Sequence, residues 1–115
     1  MNKHSEAMLL IDQALAIAAD HPDFLDTRAA TLKQLGRFDD AQTALHRALE
    51  IRPGDAGFIL NLIDVLLDAG QTQDADRRLT QLRLQTGAIG LSPAHQRQMN
   101  ELEQRLQRVS AAAGT

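Results

Sequence analysis

The four histidines are the residues of this 115-residue chain best suited by type to bind a metal or transfer a proton. Two metal ligands on one helix usually stand four residues apart, so that both reach the same ion. No histidine has such a partner, and the absence of cysteine excludes thiolate sites and disulfides. We therefore predict solvated surface histidines and no bound metal. The histidines are His4, His21, His46 and His95.

Three pairs of aspartates could in principle perform acid–base catalysis, which needs two carboxyl groups in different environments within a cleft. The pairs are Asp23 with Asp26, Asp39 with Asp40, and Asp64 with Asp68. All lie at predicted helix starts or on predicted exposed faces, where capping and solvation account for them. The chain also has no phosphate-binding glycine loop, nucleophile elbow or HExxH motif. The sequence thus predicts no enzyme, no catalytic residue and no cofactor.

Composition argues against two classes of partner. The formal net charge is −3, the basic residues are scattered, and the only aromatic residues are three phenylalanines, so we predict no nucleic-acid partner. No apolar run approaches the roughly 20 residues of a membrane span, so we predict no membrane partner. The absence of cysteine fits a reducing compartment, which favours the cytoplasm and leaves the periplasm open.

Residue types recur along the chain with a fixed period. Ala7, Ala41 and Ala75 are 34 residues apart. The same register relates Ile11 to Leu45 and Leu79, Ala14 to Ala48 and Leu82, Phe24 to Phe58, and Gly36 to Gly70. A period of 20–50 residues is typical of stacked structural repeats.

Apolar residues at helical spacing predict six helices. Their predicted bounds are about 5–19, 22–35, 39–51, 56–69, 72–85 and 92–110. The predicted N-caps are Ser5, Asp39, Asp55 and Ser92. Gly36 and Gly70 are predicted to end helices in a left-handed conformation. Residues 86–91 are predicted to form a loop and residues 111–115 a frayed tail.

The segment 22–55 resembles a tetratricopeptide repeat. The residues that carry the resemblance are Leu25, Ala29, Leu32, Phe38, Ala41, Leu45, Ala48 and Pro53. Residues 56–90 resemble a second copy, which departs at Ile63 and Leu82 and has no closing proline. The resemblance implies an all-α fold, a right-handed superhelix of antiparallel helix pairs with about six helices including a C-terminal capping helix.

The repeat register divides a single domain, residues 1–112, into four parts. Residues 1–21 form a half repeat with helix B only, residues 22–55 and 56–90 form full repeats, and residues 92–110 form the capping helix. Two explanations of the half repeat stay open: a domain cut from a longer protein, or a partner or second copy that supplies the other helix. Met8, Leu9 and Leu10 replace mostly polar counterparts and are predicted to contact such a helix.

The resemblance also implies a function, the non-catalytic binding of another polypeptide in a groove lined by the A helices. Asn61 matches a family position that often bonds the backbone of a bound peptide. The aspartates of this surface, with Leu60 and Leu67, predict a basic or amphipathic ligand. The predicted lining residues are Asp23, Asp26, Thr27, Ala30, Lys33, Gln34, Gly57, Leu60, Asn61, Asp64, Leu67 and Asp68.

Two alternatives of other classes stay open. The chain could be the regulatory or substrate-recruiting segment of a longer enzyme. It could instead be a structural spacer or self-association module, for example a homodimer formed through the N-terminal half repeat. In that case Met8, Leu9 and Leu10 would be contacts, together with an apolar stripe on the last helix. That stripe consists of Met99, Leu102, Leu106 and Val109.

Overall fold

The computed structural model describes residues 3–87 and 90–113, and within this part of the chain every regular element is an α-helix. The predicted all-α fold of six helices is confirmed. The helices are α1 (Lys3–Ile17), α2 (Pro22–Gln34), α3 (Phe38–Ile51), α4 (Ala56–Asp68), α5 (Thr72–Thr86) and α6 (Pro93–Ala113).

Each helix packs on its neighbours in a stacked order. The helices α2 and α3 form one pair, and α4 and α5 form the next. In addition, α4 packs on both helices of the first pair, and α6 packs on both helices of the second. Helix α1 packs on α2 alone among the described helices. The first helices of successive units, α2, α4 and α6, therefore lie side by side.

Several small side chains of the helices are fully or almost fully buried. Ala41, Ala48 and Ala75 are completely buried, and Ala29 is 1% exposed. Alanine lets two helix backbones approach closely, while larger residues fill the volume beside the contact. Leucine side chains form most of the rest of the core, together with Met8, Phe58, Ile63, Val65 and Met99; the leucine and isoleucine side chains with no exposed surface are Leu32, Leu45, Leu60, Leu62 and Ile63.

Helix α6 closes the core on the side of α4 and α5. Met99, Leu102 and Leu106 of its predicted apolar stripe are buried, whereas Val109 is 43% exposed. The stripe thus serves mainly to attach α6 to the preceding pair. Of this stripe, only Val109 is therefore left for the contact with another molecule that the spacer interpretation requires of the last helix.

Most helix ends lie where proline and glycine predict them. Pro22 is the first residue of α2, where its missing N–H has no partner to lose. Gly36 and Gly70 follow α2 and α4 with φ of 77° and 78°. Only glycine adopts this left-handed conformation without steric cost, so the prediction for both glycines is confirmed.

Two of the four predicted N-caps are confirmed. The Asp55 carboxylate accepts a hydrogen bond from the Phe58 N–H at 3.0 Å, and the Ser92 hydroxyl accepts one from the His95 N–H at 3.2 Å. The other two predictions are wrong. Ser5 lies inside α1, which the structure describes from Lys3.

Asp39 is the other incorrect N-cap. Helix α3 starts one residue before it, at Phe38, whose ring packs against the core. Core packing of Phe38 therefore sets the start of α3, and Asp39 lies in its first turn. The N-cap residue is Arg37, which makes no capping bond with its side chain and pairs instead with Asp40.

Helix α6 continues beyond its predicted end to Ala113. The prediction of a frayed tail is wrong for residues 111–113, because alanine has the highest helix propensity and nothing in this segment stops the helix. Gly114 and Thr115 of the predicted tail lie outside the described residues. So do Ala88 and Ile89 of the predicted loop.

The confirmed cap gives a direct test of the helix starts. Asp55→Ala removes a capping bond and is expected to cost about 1 kcal/mol in the free energy of unfolding. Asp39→Ala is the matched control, since the Asp39 side chain caps no helix, and is expected to cost less than about 0.5 kcal/mol. Urea denaturation of both variants checks this. Equal losses would contradict the assignment of the caps.

Candidate functional site

The surface predicted to form a groove consists of the aligned helices α2, α4 and α6. A row of amides and one carboxylate joins them. The Asn61 side chain donates a hydrogen bond from Nδ2 to Asp26 Oδ1 at 2.8 Å. The Gln98 side chain in turn donates from Nε2 to Asn61 Oδ1 at 2.8 Å. Both ends of the Asn61 amide are therefore used to connect repeats, whereas the sequence predicted an amide available for a bound peptide.

A second row consists of charged side chains. Asp64 on α4 lies between Lys33 of α2, at 2.5 Å, and Arg105 of α6. The other guanidinium nitrogen of Arg105 binds Asp68 at 2.5 Å. Two cations therefore neutralise two of the aspartates that the acidic-groove hypothesis requires. Arg105 was not among the predicted residues, since it is 41 positions from Asp64 and the last helix departs from the 34-residue register.

Two half-buried carboxylates of this surface respond differently to their surroundings. The pKa of the Asp26 carboxyl is raised, mainly by burial. The hydrogen bond from Asn61 lowers this pKa, whereas the negative charges of Asp55 and Asp23 raise it further. Burial also opposes ionisation of Asp64, but the hydrogen bonds and charges of Lys33 and Arg105 outweigh it, so the pKa of Asp64 lies below its usual value. Asp64 therefore acts as a structural anion that ties three helices together.

Several other predicted groove residues are covered or engaged. Leu60 has no exposed surface, so its prediction as a lining residue is wrong. Leu67 is half-buried against the core. Gly57 lies under the His95 ring of α6, where an added Cβ would come within 3.2 Å of Nε2. Helix α6 thus covers much of the α4 side of the predicted groove.

The α2 side of this surface is more open. Thr27 and Ala30 are exposed, as are Asp23 and Gln34. The Thr27 hydroxyl, however, donates to the Asp23 backbone carbonyl one turn earlier. A cavity of about 70 Å³ lies between α2 and α4, which is too small for an organic ligand.

Of the three residues predicted to form a contact at the N-terminal end, one is buried and two are exposed. Met8 is buried at 9% exposure, so it belongs to the core and its prediction as an exposed contact is wrong. Leu9 and Leu10 are 49% and 66% exposed. Ile17, which was not predicted, is 91% exposed. Its position seven residues after Leu10 puts both on one helix face.

The comparisons with known proteins agree with this architecture. Residues 32–88 match the sequence model of the tetratricopeptide repeat. The fold matches the crystal structure of the Sgt2 TPR domain from Aspergillus fumigatus with a TM-score of 0.74 and 23% identity, over 96% of this chain and 73% of that chain. The chain belongs to the tetratricopeptide repeat family. No curated protein matches it.

The tetratricopeptide fold is that of a protein–protein interaction module. Across residues 3–87 and 90–113, no three histidine or acidic side chains are grouped so that they could hold a metal ion. None of the described helices combines the length and the apolar character needed to cross a membrane. Among the described residues, three of the six large apolar side chains that are exposed, Leu9, Leu10 and Ile17, lie on α1.

Proposed function

We propose that the chain is a non-catalytic interaction module that binds an amphipathic helix of a partner polypeptide along one side of α1. That side, the α1 stripe, consists of Ala7, Leu10, Ala14 and Ile17. These residues follow one another at spacings of three, four and three, so they form one line along the helix. The stripe contains no charged or polar residue.

The observation that carries the proposal is the different burial of the same register positions in α1 and α3. In α3, Ala41 and Ala48 are fully buried and Ala44 is 7% exposed. In α1, the corresponding Ala7 and Ala14 are only half-buried, and Leu10 is 66% exposed. The packing order explains the difference, because α3 lies between α2 and α4 whereas α1, among the described helices, packs on α2 alone. Ala7, Leu10 and Ala14 therefore occupy positions that are covered in α3, whereas Ile51, the counterpart of Ile17, is 37% exposed.

The composition of the α1 stripe indicates the kind of partner. Ala7 and Ala14 permit close approach of a second helix, as the alanines do within the repeats. Leu10 and Ile17 each contribute about 1.5–3 kcal/mol when they are buried completely. A partner helix with an apolar stripe satisfies this surface. A purely basic segment would not satisfy it. The surface formed by α2, α4 and α6 also offers such a segment little free negative charge, because Asp64 and Asp68 are already paired with Lys33 and Arg105.

A peptide of residues 20–36 of this chain is a suitable probe, since it contains α2, the helix that pairs with α3. We expect it to shift backbone amide signals of α1 in the NMR spectrum of the labelled protein. Leu10→Glu places a charge in the α1 stripe and is expected to weaken this binding at least tenfold. Leu84→Glu is the control, because Leu84 is 79% exposed on α5 and outside the stripe.

The result would count against the proposal if Leu10→Glu and Leu84→Glu bound the peptide equally well. Shifts confined to α2, α4 and α6 would instead favour the groove. Sedimentation of the protein alone over a range of concentrations distinguishes the source of the partner helix. Concentration-dependent dimers that Leu10→Glu abolishes would identify a second copy as the partner.

A further inference from the structure

A cleft of about 360 Å³ lies between the second half of α3 and the facing side of α5. Its volume falls within the range of sites that hold small molecules or single side chains. Leu49, Ile59 and Leu82 provide its apolar surface. Leu82 is 3% exposed, whereas Leu49 and Ile59 are half-buried and remain accessible from the cleft. The cleft shares no residue with the α1 stripe.

One charge on the rim of this cleft is uncompensated. Arg78 makes no ion pair within the described part of the chain, although ten ion pairs occur there. Glu50 also lies on the rim, but its carboxylate is bound by Arg47 at 2.7 Å. Arg77, beside Arg78 in the sequence, points elsewhere and pairs with Asp74. Arg78 is therefore the free cation of the cleft.

The neighbouring groups are consistent with an anion next to Arg78. Burial lowers the pKa of His46, and the positive charge of Arg78 lowers it further. The negative charge of Glu50 raises this pKa, but by less. Gln81, on the same rim, adds an amide that can donate a hydrogen bond. A guanidinium next to an amide donor and an apolar surface can hold a carboxylate and the apolar group beside it.

We propose that this cleft binds an acidic–apolar segment of a partner polypeptide. A carboxylate of the segment pairs with Arg78, and an adjacent apolar side chain packs on Leu49 and Ile59. Because α1 contacts neither α3 nor α5, this site is independent of the α1 stripe. The chain would then present two separate binding surfaces, one selected by apolar shape and one by charge.

The probe is the dipeptide Ac-Leu-Glu-NH₂, titrated into the isotope-labelled protein. We expect shifts in the amide signals of α3 and α5. The neutral dipeptide Ac-Leu-Gln-NH₂ is expected to bind about tenfold more weakly, since it lacks the charge-assisted bond. Arg78→Gln is expected to lower the affinity for the acidic dipeptide by the same factor, and Arg77→Gln to change it less than twofold. Both arginines are accessible, and unchanged thermal melting verifies the fold of each variant.

Three results would overturn this proposal. The first is equal binding of the acidic and neutral dipeptides, and the second is equal loss in the two arginine variants. The third is that inorganic phosphate shifts the same signals as strongly as the acidic dipeptide, which would indicate an anion site without an apolar requirement. Leu10→Glu is expected to leave dipeptide binding unchanged, so that failure of this site and failure of the α1 stripe are distinguishable.

Discussion

Ala41→Trp is expected to lower the free energy of unfolding by about 1–3 kcal/mol or more. Ala41 has no exposed surface and lies on α3, which packs on α2 and α4. An indole ring at this position must push the pair apart or adopt an unfavourable rotamer, since the surrounding core is close-packed. Urea denaturation followed by circular dichroism measures the loss.

The matched control is Ala30→Trp. Ala30 is an exposed alanine in the middle of α2, so this variant has the same change in helix propensity without overpacking. Its stability is expected to stay within about 0.5 kcal/mol of the wild type. A wild-type melting temperature for Ala41→Trp would contradict the central packing argument, in which small residues set the spacing of the repeats.

Asp64→Asn is expected to cost about 1–3 kcal/mol at pH 7, because it removes the charge that Lys33 and Arg105 share across three helices. Its side chain is only 20% exposed, so solvent screens the interaction incompletely. Asp40→Asn is the control. It breaks the exposed pair with Arg37 and is expected to cost less than about 0.5 kcal/mol.

The pH dependence of this loss has a definite sign. The pKa of Asp64 is lower in the folded than in the unfolded protein, so its contribution to stability is present above about pH 4 and is lost as the pH falls through the folded value. The pKa of Asp26 is raised in the folded protein, so protonation of Asp26 favours the folded state as the pH falls. Asp26 is present in both proteins, so its effect largely cancels in the difference.

Thermal melting of the wild type and Asp64→Asn between pH 7 and pH 3 checks this dependence. The difference in stability is expected to be largest at neutral pH and to shrink below about pH 4. A difference that stays constant over the whole range would show that the Asp64 charge does not hold the three helices together.

The helix breakers and caps were predictable because they act within a few residues. Pro22, Gly36 and Gly70 limit helices through their own backbone conformation, and Asp55 caps a helix three residues away. Asp39 shows where this reasoning fails. A local cap signal was overruled because Phe38, its neighbour, packs on the core and starts the helix earlier.

The surface was less predictable than the packing. The resemblance to the tetratricopeptide repeat implied that Asp64 and Asn61 lie on one surface, but it could not show that both already have partners. Those partners include Gln98 and Arg105 of α6, a helix that departs from the repeat pattern. Comparison with its polar counterparts likewise predicts an exposed Met8, yet its flexible side chain packs into the core.

The sequence by itself determined the repeat, because alanine recurring every 34 residues defines where helices can approach, and this requirement is local to each pair. Tertiary structure decided which side chains remain free to bind. Whether an aspartate, an arginine or a leucine is satisfied depends on helices far away in the chain. Only the packed arrangement shows that Arg105 pairs with Asp64, that Arg78 has no ion pair within the described residues, and that Leu10 is exposed.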